Sequence, residues 1–464
     1  MIALFTIAGL GILALLAEIF KFRKLLSFAV PMGVLAAYCL NFYEWNHPIR
    51  IEQFANMLQF GKLELAFSGV LLATAFFWFI FANDYFENES SSADHFALVC
   101  FALTGAIMLV SYTNMTMLFL GVEILSIPLY VMAASRKSDI SSNEAGFKYF
   151  LMGAFASGFL LFGIALVYGA TGSFDLATIA DSVRIMYAAN AVPGFLYVGV
   201  LMMLIAMCFK VAAAPFHFWS PDVYQGSPTV VTAFMSTIVK TAGFVAFMRL
   251  FNGCFFSVSD KWTLILAVIS AASLVISNIT AASQSNVKRM LAYSSISHAG
   301  FMLMAIIANS QTSTPAILYY SLAYSISSIG GFTILYNLTK GKEGQETFDL
   351  FNGLGKRNPM IAACMVVILL SLAGIPVTSG FFAKYYVLAG LMGKGFGWLI
   401  VLAIVMSAVG VYYYFKIIIA MYFKKPDIET PVAFESSHAA LIGITTAFTI
   451  LLGFVPQYII GMLS

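Results

Sequence analysis

Residues 204–240 read LIAMCFKVAAAPFHFWSPDVYQGSPTVVTAFMSTIVK, and this stretch decides the fold. It begins and ends in apolar runs of membrane-spanning character. Each run nevertheless holds a lysine, Lys210 and Lys240, and Pro215, Pro221 and Pro228 interrupt the sequence between them. Hydrocarbon offers the backbone no hydrogen-bond partner, so a helix can break at membrane depth only where protein or water satisfies the freed groups. An uncompensated charge at the bilayer centre costs roughly 2.5–3.5 kcal/mol on insertion scales, so each lysine should face a partner or a water-filled cavity. The stretch therefore reads as part of a helical membrane protein with a polar interior.

The same pattern recurs on either side. Glu123 lies in FLGVEILSIPLYVM (119–132) and Lys384 in PVTSGFFAKYYVLAG (376–390), which brings the ionisable residues deep in apolar runs to four. A static ion pair could account for one of them; four in one chain point to proton or ion movement. Composition agrees with the class, with 61% hydrophobic and 10% charged residues. The net charge of +3 is small and the basic residues are scattered, which argues against nucleic acid. Cys39, Cys100, Cys208, Cys254 and Cys364 lie far apart without CxxC spacing, so no zinc site, iron–sulfur cluster or disulfide framework is expected. Met1 to Phe20 lacks a basic leading region and reads as a first retained span.

Windows of about 19 residues give about 14 transmembrane helices, near 1–20, 25–42, 64–82, 95–112, 114–134, 146–169, 195–217, 228–250, 262–283, 290–309, 314–338, 360–391, 397–423 and 437–462. The span at 360–391 is too long for one straight crossing. The links are too short for an independent domain, so residues 1–464 form one integral membrane domain. One set of alternating loops holds Lys21, Arg23, Lys24, Arg136, Lys137, Lys288, Arg289, Lys340, Lys342, Lys356, Arg357, Lys424 and Lys425. The other holds only Arg50, Lys62, Arg184, Arg249, Lys261 and Lys394. Loop lysine and arginine mark the cytoplasmic side, so the first set is cytoplasmic and both termini are expected on the periplasmic face.

Two spans break beside a lysine. Pro215 follows Lys210, and Gly374, Pro376 and Gly380 precede Lys384. If spans 4–8 and 9–13 are two five-helix units, the broken helix is the fourth member of each, as expected of inverted repeats with a site at the midplane. The division is then a three-helix segment at 1–94, repeats at 95–251 and 262–423, and a final helix at 437–464. Two further lysines are weaker candidates. Lys148 is close enough to a helix start to snorkel and is four residues from Glu144, and Lys416 follows Tyr412, Tyr413 and Tyr414 near a span end.

Four stretches carry a family resemblance: KVAAAPFHFWSPDVYQGSPTVVTAF (210–234), QSNVKRMLAYSSISHAGFML (284–303), SLAGIPVTSGFFAKYYVL (371–388) and SAVGVYYYFKIIIAMYF (407–423). The chain resembles the antiporter-like membrane subunits of respiratory complex I, the bacterial NADH:quinone oxidoreductase, over roughly residues 64 to 460. Lysine at 384, with SLAGIP and YYYFK, favours the subunit N branch over M, and the lack of a long C-terminal amphipathic helix disfavours L. The resemblance implies a non-redox, proton-translocating subunit in the bacterial inner membrane. Glu123 and Lys210 would be the ion pair of one half-channel, Lys240 the central connector and Lys384 the terminal lysine of the second. His298 would lie between Lys240 and Lys384, whereas His217 is read first as support for the loop after the break.

The resemblance further implies no cofactor or metal on this chain. FMN, iron–sulfur clusters and quinone would sit in partner subunits, and the neighbours would be subunit M and small membrane subunits, with lipid around them. No nucleotide fingerprint is visible: GLGKRNP lacks its third glycine, and GLMGKGFG has no Ser or Thr after the lysine. The spans hold few carboxylates besides Glu123, which favours protons over sodium. A subunit of a multi-chain Mrp-type cation/proton antiporter and a purely structural membrane-arm spacer are the competing readings.

Overall fold

A computed structural model describes residues 1–20, 23–47, 57–87, 92–340, 344–425 and 430–463. Lys21, Arg50 and Lys342, which enter the charge sorting, lie outside the described residues. The first helices are α1 (Ile2–Ile19), α2 (Arg23–Asn46), α3 (Lys62–Glu87), α4 (Ser92–Ser111), α5 (Met115–Ala133), α6 (Ile140–Thr171), α7 (Leu176–Ala188), α8 (Gly194–Lys210) and α9 (Trp219–Gly226). A continuous helix over Thr229–Cys254 contains α10 (Thr229–Phe234) and α11 (Lys240–Met248), each followed by a π-helical turn. Then come α12 (Ser259–Ser283), α13 (Val287–Ala308), α14 (Ser313–Thr339), α15 (Leu354–Arg357), α16 (Pro359–Ala373), α17 (Ser379–Leu391), α18 (Gly397–Phe423), α19 (Ser436–Phe454) and α20 (Pro456–Ile460).

The all-α polytopic reading is borne out. Among the described residues, 11 helices are long and apolar enough to cross a membrane, and Ile2–Ala17, Gly194–Lys210 and Pro359–Ala373 are shorter apolar helices. Local chemistry fixes several starts: the side chains of Asn114, Asp139 and Asn286 accept from the amides of Thr116, Ser141 and Arg289 at the beginnings of α5, α6 and α13. One element departs from the sequence reading. The link after α6 contains α7, capped by Asp175, which buries Ile179 and Val183.

The helices sort by burial. The apolar window of Thr229–Cys254 is 100% buried and those of α13 and α14 are 94% buried, against 33% for α6 and 28% for α18. The first three form the axis of the molecule, and α6 and α18 turn apolar side chains such as Phe155 and Ile404 outward. A helix buried all round should be apolar all round. Here the inner helices instead bury Ser236, Lys240, Ser294, His298, Ser325 and Ser327, so the centre of the protein is its polar part.

Candidate functional site: a buried lysine axis

Lys210 is the last residue of α8, and the chain then runs without helix until α9. Its Nζ donates to Ser126 Oγ at 2.6 Å. Ser126 lies three residues after Glu123 on α5, so both share one helix face. Glu123 accepts a hydrogen bond from Ser157 Oγ of α6. Ser126, Ser157, Tyr130 and Lys210 wall a cavity of about 20 Å³, enough for a water. Glu123 and Lys210 form no ion pair within 4.0 Å; each instead bonds a serine that lines this cavity.

The π turn over Met235–Val239 delivers Lys240 into the core, where it is 4% exposed and donates to the carbonyl of Ser295 on α13. π turns inside α-helices recur at functional sites because they re-aim a side chain. Three residues on, His298 places Nδ1 2.7 Å from the Tyr320 hydroxyl and Nε2 3.4 Å from that of Tyr414. Tyr414 is in turn bonded to Ser294. His298, Tyr320, Ser327, Ser371 and Gly380 border a second small cavity, of about 10 Å³.

The α16–α17 break holds Lys384. Its Nζ donates to Ala373 O at 2.7 Å and Ser407 Oγ at 2.8 Å, and lies 5.0 Å from the Phe301 ring centroid. Two glycines make this possible. Gly374 adopts φ +86, and a Cβ there would lie 2.8 Å from Lys384 Cδ. At Gly380 a Cβ would lie 1.8 Å from Ser371 O, so α17 can start against the end of α16 only with no side chain. Pro376 stands in the non-helical segment between them. Pro215 holds the corresponding place after Lys210, and there Ala214 N donates to Ser273 Oγ at 2.8 Å.

The weaker candidates sit apart from the axis. Lys148 bonds Glu144 at 2.6 Å, as the spacing suggested, but also Asp222 on α9 at 2.7 Å. Asp222 holds Arg289 of α13 at 2.7 Å as well, so one carboxylate ties α6, α9 and α13 together. Lys416 donates to Ala282 O at 3.2 Å and Gln284 O at 3.1 Å, and His217 stacks on Phe218 in the loop. Sequence reasoning missed Asp222 because its partners are 74 and 67 residues away. It also placed Lys288 in a loop. The structure corrects this: Lys288 opens α13, its side chain is 0% exposed, and it pairs with Glu346 at 3.4 Å. Nothing in VKRM separates such a lysine from a solvated one.

Comparison with known proteins places the fold. Residues 112–410 match the family described as NADH:quinone oxidoreductase/Mrp antiporter, TM. The chain is 42% identical to NADH-quinone oxidoreductase subunit N of Flavobacterium johnsoniae over 99% of both chains. It superposes on a chain of respiratory complex I from Thermus thermophilus with bound aureothin at TM-score 0.85 and 30% identity, covering 100% of this chain and 99% of that one. A chain of the Mrp complex from Dietzia shares the fold at TM-score 0.86 and 20% identity, over 99% of this chain and 94% of the other. The chain belongs to the NADH-quinone oxidoreductase subunit N family, within the wider NADH:quinone oxidoreductase/Mrp antiporter group of membrane proteins.

Proposed function

We propose that this chain is a membrane-arm subunit of a proton-pumping NADH:quinone oxidoreductase and moves protons along Glu123, Lys210, Lys240, His298 and Lys384. One observation carries the reading. Lys210, Lys240 and Lys384 are each held by neutral oxygens, a hydroxyl or a backbone carbonyl, whereas Lys288 is locked to a carboxylate. An ammonium paired to a buried carboxylate cannot lose its proton without stranding the partner's charge. With neutral acceptors either protonation state is satisfied, as a carrier requires.

Glu123 supplies the switch. When the serine-lined cavity hydrates and Glu123 closes on Lys210, the ammonium is favoured; when the pair opens, Lys210 gives its proton onward. At about 7 Å and an effective dielectric near 20, that coupling is roughly 2.4 kcal/mol. The proton passes to Lys240 through water, then by His298 and the tyrosine hydroxyls to Lys384, each charge disfavouring the next ammonium until it leaves. The two breaks are the fourth helices of two inverted five-helix repeats, 95–251 and 262–423, between the segment at 1–94 and the helix at 437–464. Lys340 and Lys356 face the cytoplasm and both termini the periplasm. Redox chemistry belongs to partners carrying FMN, iron–sulfur clusters and quinone, with subunit M and small membrane subunits as neighbours in the bacterial inner membrane.

The test is Lys210→Met in the native operon, with assembly checked on native gels and NADH-driven quinone reduction and vesicle acidification recorded. Both activities should fall about tenfold or more in an assembled complex. A fully assembled variant that pumps normally refutes the reading and leaves a structural spacer. Wild-type chain that purifies without flavin and iron–sulfur subunits, and drives cation/proton exchange alone, points to the Mrp-type reading.

A further inference from the structure

A second buried polar line, separate from the lysine axis, runs between α14 and α19. At the face marked by Lys340, that lysine bonds Asp84 at 2.8 Å and Glu435 at 3.1 Å. His438, in the first turn of α19, is 0% exposed. Its Nδ1 lies 3.1 Å from Asn337 Oδ1, while its Nε2 is buried without a hydrogen-bond partner and lies 3.9 Å from Glu435 Oε2. Below it, Thr445 and Thr449 continue the same face of α19, seven and eleven residues on, and both are fully buried. A Cβ on Gly330 of α14 would lie 2.6 Å from Thr445 Oγ1, so the two helices touch there. At the lower end Ser327 Oγ is 3.4 Å from Thr449 Oγ1 and 3.1 Å from Ser371 Oγ, and Ser371 is 3.2 Å from Ser379. Ser327 and Ser371 also wall the cavity beside His298.

We infer that this seam is a proton-uptake branch with His438 as its relay, leading from the Glu435–Lys340 face to the cavity between His298 and Lys384. It rests on the proton reading of the lysine axis and on the orientation proposed with it. From Asn337 to Ser327 is ten residues of helix, about 15 Å, or half of a hydrocarbon core of about 30 Å. The seam therefore spans from one face to the midplane.

Interhelical hydroxyls alone could be packing glue between membrane helices. Glue does not account for a buried imidazole with a free nitrogen aimed at a half-exposed carboxylate. Asn337 Oδ1 is an acceptor, so Nδ1 carries the hydrogen and Nε2 presents its lone pair to Glu435. A movement of about 1 Å brings that pair to hydrogen-bond distance. Protonated Glu435 then gives its proton to Nε2, and the imidazolium releases the Nδ1 proton to water that enters the stretch of about 10 Å along α19 between His438 and Thr445; a flip of the neutral ring returns an N–H to Asn337 and a lone pair to Glu435. Thr445, Thr449 and Ser327 pass it on, each hydroxyl accepting one proton and releasing another, so no net charge remains in the seam.

The experiment uses the whole complex in inverted vesicles, with His438→Asn, Thr449→Val and Lys384→Met each confirmed as assembled on native gels. His438→Asn keeps an amide donor for Asn337 but cannot relay a proton; Thr449→Val replaces one hydroxyl with a methyl. NADH-driven acidification and quinone reduction should fall about tenfold in all three. If Lys384→Met falls and both seam variants run at the wild-type rate, the seam is refuted and the lysine axis stands. If Lys384→Met also runs at the wild-type rate, the axis fails and the seam with it. Should His438→Asn not assemble, Thr449→Val decides alone, and wild-type pumping by that variant refutes the seam.

Discussion

Glu346→Gln tests how the chain holds a cation that is fully buried and paired to a carboxylate. Lys288 and Glu346 side chains are 0% and 1% exposed and 3.4 Å apart. At an effective dielectric near 20 their attraction is about 5 kcal/mol. The variant keeps the 2.6 Å bond from Lys288 to Ser227 O but strands the ammonium. Breaking one side of a buried pair costs about 3–5 kcal/mol. The ceiling is set by lysine shedding its proton, about 4.6 kcal/mol at pH 7 from an ordinary value near 10.4. A loss of about 3–4.5 kcal/mol is therefore expected, read as a fall in assembled complex and in thermal midpoint. Lys288→Met should cost a similar amount, and the double variant should recover much of it because neither charge is left alone. Burial pushes the Glu346 carboxyl up, but Lys288 and the Gly344 amide hold it below the usual carboxylate range. Its stabilisation is thus present at neutral pH and lost as pH falls through that lowered value, so wild type and Glu346→Gln should converge in acid. A single-variant loss under about 1 kcal/mol, or a double variant as unstable as the sum of the singles, refutes this reasoning.

Ser126→Ala removes the acceptor that holds Lys210 and should lower coupled quinone reduction about tenfold in an assembled complex, reflecting about 1–3 kcal/mol for an unsatisfied buried donor. Gly380→Ala must part α16 from α17, since its Cβ would lie 1.8 Å from Ser371 O. Activity should drop with Lys384 untouched, and unchanged turnover would show that the junction has slack. Asp222→Asn leaves Lys148 with Glu144 and Arg289 with Gln225, so stability should fall little, by about 1 kcal/mol or less, and the thermal midpoint should move little with it. Coupled activity should fall more than stability if α6 and α13 move together, a comparison made on the same preparation.

Much of this architecture is legible in the sequence because a bilayer allows few solutions. Apolar runs mark the helices, and Pro215, Gly374 and Pro376 mark their interruptions. What stayed hidden depends on distant partners. Ser126 reads as one more small residue of α5 until Lys210, 84 positions away, arrives beside it. Lys288 looks like a loop cation until Ser227 O and Glu346 close over it. The π turn before Lys240 uses residues as ordinary for an α-helix as any others, so only the packed core selects it. α7 is different. Asp175 followed by Leu176, Ile179 and Val183 is a readable cap and apolar face, overshadowed by the longer spans around it.

The helix ends give the breaks a further purpose. α16 stops at Ala373, and Gly374 leaves that carbonyl without an intrahelical partner; Lys384 takes it. Lys416 does the same with Ala282 O and Gln284 O at the end of α12, and Lys210 is itself the last residue of α8. A helix C-terminus carries about half a negative charge spread over its last carbonyls and stabilises a cation by about 0.3–1 kcal/mol, up to ~2 kcal/mol when partly buried. A carboxylate at the Lys288–Glu346 distance offers about 5 kcal/mol. The difference separates holding a charge from locking it. Lys384 can rest at the end of α16 as an ammonium, yet lose its proton without exposing a full counter-charge to hydrocarbon. On this argument a carboxylate placed beside Lys384, as in Ser407→Asp, should keep the complex assembled and still slow it, by fixing a charge that the proposed relay needs to change.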